Sequence, residues 1–255
     1  MFRKFLLIIV VFLSFSCTSK NEKLTNIVIL LDFSKSIPQK TQEWYRNTIN
    51  TEIIANLGEK DQLTVLPIDY GSATGSTELL HADMNAKTFK YKLDSPVSGE
   101  RPKNRRISTF LKDVSTIFDS TFNYALKERG KYALGTDVLG GLKQANKYIE
   151  KNQNNMIIIF SDMVNETEEL NLDKSLNSQA DINSILQRLS IPPYEKCDVV
   201  VMTGDQPRLK ILQYRLLQKF WETYFSKTIV QLVDYQSGGI TILKKRLNVY
   251  KNSIK

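Results

Sequence analysis

An aspartate and two serines stand at spacings of two in Asp32-Phe33-Ser34-Lys35-Ser36, directly after the apolar run Ile27-Val28-Ile29-Leu30-Leu31. A buried strand ending there delivers one carboxylate and two hydroxyls into the loop beyond its carboxyl end. These are hard oxygen ligands, suited to Mg²⁺, Mn²⁺ or Ca²⁺ and not to zinc or copper. The same residue types also make turns and cap helices, so the run alone has a plainer explanation. A second carboxylate, Asp162, follows the apolar run Met156–Phe160, and Thr136 opens the helix that leads into that run. Ligands of doubly wound sheets bind beyond the carboxyl strand ends, where strand order reverses. If the two runs are central neighbours, Asp32, Ser34, Ser36, Thr136 and Asp162 meet. With water they would complete a six-coordinate shell at roughly 2.0–2.1 Å for Mg²⁺. Two carboxylates neutralise a divalent ion, and weakly donating hydroxyls leave it able to take one more carboxylate from outside.

Other chemistry is poorly supplied. His81 is the sole histidine and the cysteines are Cys17 and Cys197, so no Ser-His-Asp or Cys-His triad can be assembled. Cys197 precedes the apolar run Val199-Val200-Val201 and reads as a small buried hydrophobe. Asp69, Asp137, Ser161 and Asn165 fall near the same edge and could support the ligands from behind. Trp44 and Trp221 lie in amphipathic stretches and are expected in the core.

The elements that must position these residues alternate between short apolar runs and amphipathic stretches. That alternation is the signature of βαβ units around a mostly parallel sheet. Strands are expected at 27–31, 63–68, near 77–81, and at 156–160, 198–202 and 229–233. Ser36 and Pro38 signal a helix start, and Tyr45, Ile49, Ile53 and Leu57 repeat every four residues along it. Further helical faces are marked by Ile107, Phe110, Val114, Ile117 and Phe118; by Val138, Leu142, Ala145 and Ile149; by Ile182, Ile185, Leu186 and Leu189; and by Leu209, Leu212, Leu216, Phe220 and Tyr224. The glycine- and proline-punctuated segment 71–106 reads as an edge hairpin or surface excursion that includes the basic loop Arg101–Arg106. Gly238-Gly239 turns the chain into a short apolar piece and a basic tail. One domain over 25–235 is expected, with a C-terminal extension over 236–255.

With 255 residues and 42% apolar content the chain can bury a full core, which excludes disorder throughout. Its net charge of +8 comes without a basic stripe of interleaved aromatics, so no nucleic-acid partner is expected. Arg3, Lys4 and the apolar stretch Phe5–Phe15 lead to Cys17 as a secretory leader would. This segment resembles the lipobox of bacterial lipoproteins, with residues 1–16 removed, Cys17 lipidated and 17–24 as a tether. The resemblance implies a membrane-anchored protein of the bacterial cell envelope.

Asp32-x-Ser34-x-Ser36, then Gly135-Thr136-Asp137 opening a helix, then Asp162 after a strand, resembles the von Willebrand factor type A domain across residues 25–235. The family commonly carries Asp-Gly at the third element, where this chain has Asp162-Met163. The resemblance implies a Rossmann-like doubly wound α/β sheet wrapped by helices. It also implies a metal-ion-dependent adhesion site in which Ser34, Ser36 and Thr136 touch the ion and Asp32 and Asp162 act directly or through water. Binding of an acidic residue on a protein partner, and not catalysis, is the implied activity. A Mg²⁺-dependent Rossmann-like phosphatase is the alternative, though it would want a second aspartate where Ser34 stands. A purely structural module held by its sheet alone is the third reading.

Overall fold

The computed structural model describes residues 25–70, 72, 78–91, 107–129, 135–151, 153–205, 210–236 and 240–252. The leader, Cys17, the tether, the basic loop 101–106, Leu209 and the Gly238-Gly239 turn lie outside them. Among the described residues no helix is long and apolar enough to cross a membrane.

The apolar runs become the strands β1 (Thr25–Asp32), β2 (Gln62–Ile68), β5 (Asn154–Phe160), β6 (Asp198–Met202) and β7 (Gln231–Gln236). They are rich in Ile and Val, whose branched side chains pack well on a pleated surface. An edge hairpin, β3 (Leu80–Asp83) and β4 (Thr88–Tyr91), completes a seven-stranded sheet of order β4-β3-β2-β1-β5-β6-β7. The five main strands run parallel, and only the hairpin is antiparallel. All of β1 is buried, as a central strand covered on both faces must be.

Helices cover both faces: α1 (Gln39–Thr48), α2 (Ile107–Arg129), α3 (Val138–Ala145), α4 (Leu172–Ser175), α5 (Gln179–Arg188), α6 (Ile211–Ser226) and α7 (Thr241–Asn252). Alternate residues of β1 feed two separate cores. Ile27, Ile29 and Leu31 join Tyr45, Phe110 and Phe118 on one face. Val28 and Leu30 join Leu142, Phe220 and Trp221 on the other. The chain is therefore an α/β protein with a mostly parallel central sheet flanked by helices.

Five local expectations need correction or refinement. The strand expected near 77–81 begins at Leu80, and the last strand begins at Gln231, leaving Ile229 63% exposed. The buried face of α6 is Leu217, Phe220, Trp221, Tyr224 and Phe225, whereas Leu212 is 66% exposed. The four-residue stripe of α1 extends through a π-helical turn at Ile49–Ile53. A strict period of four drifts roughly 40° per step on a regular helix, and the wider turn keeps Tyr45, Ile49, Ile53 and Leu57 in one core. Finally, the short apolar piece and the basic tail expected after Gly238-Gly239 together form α7, whose Leu243 and Leu247 are buried in the first core.

Candidate metal centre

β1 and β5 pair in parallel, with Leu31 opposite Phe160, so Asp32 and Ser161-Asp162 leave the sheet side by side. The chain proceeds outward from β1 through β2 to the hairpin, then returns to β5 and proceeds outward the other way. The pair β1–β5 is thus the point of reversal, where a doubly wound sheet opens a crevice.

Asp32 is 1% exposed. Its Oδ1 accepts the Ser34 N–H at 2.8 Å and its Oδ2 accepts the Ser161 hydroxyl at 2.7 Å. The Ser34 and Ser36 hydroxyls bond each other at 2.8 Å. Helix α1 begins after Pro38 without a side-chain cap, so the capping role expected of Ser36 is not taken up. Ser34 and Lys35 also line an open cavity of about 610 Å³ that includes Gln39 and Lys127.

The second carboxylate turns its own loop. Asp162 Oδ1 accepts the Val164 N–H at 3.0 Å. Met163, where a glycine would be at ease, adopts a left-handed backbone with φ 63°. Its N–H donates to Ser161 Oγ at 2.9 Å and its carbonyl accepts the Trp221 indole N–H at 2.9 Å.

Thr136 reaches the site from a third segment. Asp137, and not Thr136, caps α3 by accepting the Gly140 N–H at 2.8 Å. The Thr136 carbonyl accepts the Glu166 N–H at 2.7 Å, four residues past Asp162. The approach is close enough that a Cβ on Gly135 would lie 2.2 Å from the Glu166 carbonyl oxygen. Thr136 is fully buried, and its Oγ1 has no hydrogen-bond partner among the described residues. A buried hydroxyl left unsatisfied is destabilising by about 1–3 kcal/mol, so an orphan at this place implies a missing partner.

The electrostatics carry the same signature. Burial first, and the neighbouring Asp162 carboxylate second, push the Asp32 carboxyl up to about 7. Burial also raises the Tyr45 phenol, helped by Asp32 and then Asp162, and its hydroxyl donates to the Thr203 carbonyl at 2.8 Å. A concentrated negative field in a buried place favours a cation.

The structure thus brings Asp32, Ser34, Ser36 and Asp162 to one sheet edge, with Thr136 tied to the loop beyond Asp162 through Glu166. Among the supporting candidates, Ser161 reaches Asp32 directly. Asn165 accepts the Leu139 N–H and donates to the Leu170 carbonyl, tying the start of α3 to the Asp162 loop. Asp69 turns with Ser72. His81 lies in the edge hairpin and bonds Thr64 at 2.9 Å. Cys197 is buried, with its thiol raised to about 12, chiefly by that burial. Among the described residues no cluster of three or more His, Cys, Asp or Glu is placed for a metal. Any ion here must take its remaining ligands from hydroxyls and water, and the donor set present fits a hard divalent cation. The sequence reading missed Tyr45 and Trp221 as neighbours of the site. A tyrosine on a core stripe needs a polar partner for its hydroxyl, and that was the available signal.

No family model matches the chain, and no curated protein matches it. Among solved structures it is similar to proximal thread matrix protein 1 from the mussel byssus (11% identity, TM-score 0.40), covering 90% of this chain and 47% of that one. It is also similar to the human COPII-coat protein Sec24c (8% identity, TM-score 0.38), covering 91% of this chain and 32% of that one. A third likeness is the adhesive tip pilin GBS104 from Group B Streptococcus agalactiae (14% identity, TM-score 0.30), covering 66% of this chain and 54% of that one. The chain spans about half or less of the length of these proteins.

Proposed function

We propose that this chain is a von Willebrand factor type A-like binding module, held at a bacterial cell-envelope membrane through lipidated Cys17. It uses a divalent-metal site, formed by Asp32, Ser34, Ser36, Thr136 and Asp162, to capture an acidic residue of a protein partner. The observation that carries this reading is the buried Thr136 hydroxyl, without a hydrogen-bond partner among the described residues, on a segment tied to the loop beyond Asp162, together with the two neighbouring carboxylates Asp32 and Asp162. A bound Mg²⁺, Mn²⁺ or Ca²⁺ would supply a positive centre that offsets both carboxylates and attracts a third from outside. The chain's own residues hold the rest: Ser161 and the Ser34 N–H fix the Asp32 carboxylate, and the Asp162 loop is fixed by its own turn. Ser34 is bonded to Ser36 and carries no proton-transferring group, which favours binding over hydrolysis.

The test is thermal denaturation of the wild type, Asp32→Ala and Thr136→Ala with and without millimolar Mg²⁺ or Mn²⁺. Ligand at a hundredfold excess over Kd stabilises by about 2.7 kcal/mol, so the wild type should melt several degrees higher with metal. Both variants should lose most of that increment. A wild type indifferent to both cations would sink the proposal.

A further inference from the structure

Met163 is an anomaly that the site alone does not explain. Left-handed backbone is disfavoured for a side chain with a Cβ by roughly 1–2 kcal/mol, yet Met163 holds φ 63° with its side chain fully buried. Such strain persists only where surrounding structure over-determines it. Two hydrogen bonds grip this residue. Its N–H donates to Ser161 Oγ at 2.9 Å, and its carbonyl accepts the Trp221 indole N–H at 2.9 Å. Trp221 sits on α6, is fully buried, and packs edge-on against Phe220 and Tyr224 with ring centroids 5.2 and 5.5 Å away. An indole so enclosed has a fixed N–H direction. The chain of donors then runs from Trp221 to Met163, from Met163 to Ser161, and from Ser161 to Asp32 Oδ2 at 2.7 Å.

We infer that Trp221 is a positioning residue for the metal site: its indole N–H locks the left-handed turn at Met163, which aims both Asp162 and the Ser161 hydroxyl that orients Asp32. This rests on the metal-binding reading above. Without the lock, Met163 would relax to negative φ, the Asp162 loop would swing, and Ser161 would lose the donor that sets its rotamer. Glycine at 163 adopts positive φ at no steric disadvantage, so it should make the lock dispensable.

The experiment uses the full chain with four proteins: wild type, Trp221→Phe, Met163→Gly and the double variant. Phenylalanine keeps most of the packing and removes only the donor. Mn²⁺ affinity is measured by calorimetry, and amide exchange at Ser34, Met163 and Val164 is followed by NMR in EDTA. Outer hydrogen-bond partners of metal ligands typically contribute 10–100-fold in affinity. W221F should therefore weaken Mn²⁺ binding about tenfold or more and speed exchange at those three amides above the global rate. M163G also empties the core space of the buried Met163 side chain, so it is the reference for the double variant. Adding W221F to M163G should lower Mn²⁺ affinity by at most about threefold, against about tenfold or more in the wild-type background. Equal affinity and equal local exchange in W221F, or the same loss on adding W221F to M163G as to the wild type, would overturn the inference. If the wild type binds no Mn²⁺, the metal reading fails by itself. The exchange measurement then still decides whether Trp221 holds the turn.

Discussion

Two carboxylates buried side by side at the ends of neighbouring strands, Asp32 on β1 and Asp162 after β5, repel each other, and the proton is the cation at hand to relieve this. Asp32 titrates up at about 7 against an ordinary 3.8, first through burial and then through Asp162. The native state therefore binds a proton more tightly than the unfolded chain does. Stability contributed by that proton is fully present below about pH 4 and is lost as pH rises through about 7. Asp32→Asn keeps an acceptor for the Ser34 N–H, and the Ser161 hydroxyl can turn to accept from the new amide. In EDTA, D32N should melt several degrees above wild type at pH 8, and the gap should shrink by more than half at pH 5. Parallel melting curves of the two proteins from pH 5 to 8 would refute the buried-repulsion account. The places of Asp32, Ser34, Ser36 and Asp162 beyond strand ends were legible in the sequence, because residue type and distance from an apolar run suffice to mark such an end. At Met163 the resemblance signals an unusual turn, a methionine where glycine is common, but its hydrogen bond with Trp221, across 58 positions, was not legible.

At the scale of elements, the loops after the strands hold the site by packing against helices that the hydropathy pattern alone cannot pair with them. The turn after β6 shows this. Thr203 accepts the Tyr45 hydroxyl through its carbonyl, and Gly204 follows at φ 66°. A Cβ there would lie 2.4 Å from Thr41 Cγ2 on α1. Two separate penalties should therefore burden Gly204→Ala: the left-handed backbone, at about 1 kcal/mol or more, and the clash with Thr41. Thr41→Ser removes the clashing methyl. Urea titrations of G204A and of the T41S/G204A pair should show destabilisation in both, with the pair recovering only the steric share. Full recovery would mean that the backbone conformation is not strained. Strand runs were easy to read because a parallel strand buried on both faces is continuously apolar. The face of α6 was misread because its first turn stands clear of the sheet, leaving Ile211 and Leu212 at 76% and 66% exposure.

For the whole molecule, the decisive property is that the sheet grows outward in both directions from β1 and β5. This arrangement brings residues about 130 positions apart, Asp32 and Asp162, to one crevice while helices seal both faces. Adjacency of that kind is a global outcome, and a single sequence carries no local trace of it. The same holds for α7. Its sequence shows only a short apolar piece and a basic tail; only the assembled sheet offers Leu243 and Leu247 a surface to cover. Leu243 is fully buried, Leu247 is 7% exposed, and Lys244 pairs with Glu52 at 3.1 Å. That exposed ion pair contributes little, so the two leucines are what attach the helix. Leu-to-Ala changes in cores are destabilising by about 2–5 kcal/mol each, whereas a dispensable extension would tolerate them. Leu243→Ala and Leu247→Ala should each lower the urea midpoint with the slope unchanged, and Lys244→Ala should leave it within error. Because α7 packs on the α1–α2 face and the metal site opens at the strand ends, a well-folded L247A should bind Mn²⁺ as the wild type does. A leucine variant with undiminished stability would return α7 to the status of a tail, while one that lost metal affinity out of proportion to stability would show that the first core reaches the site.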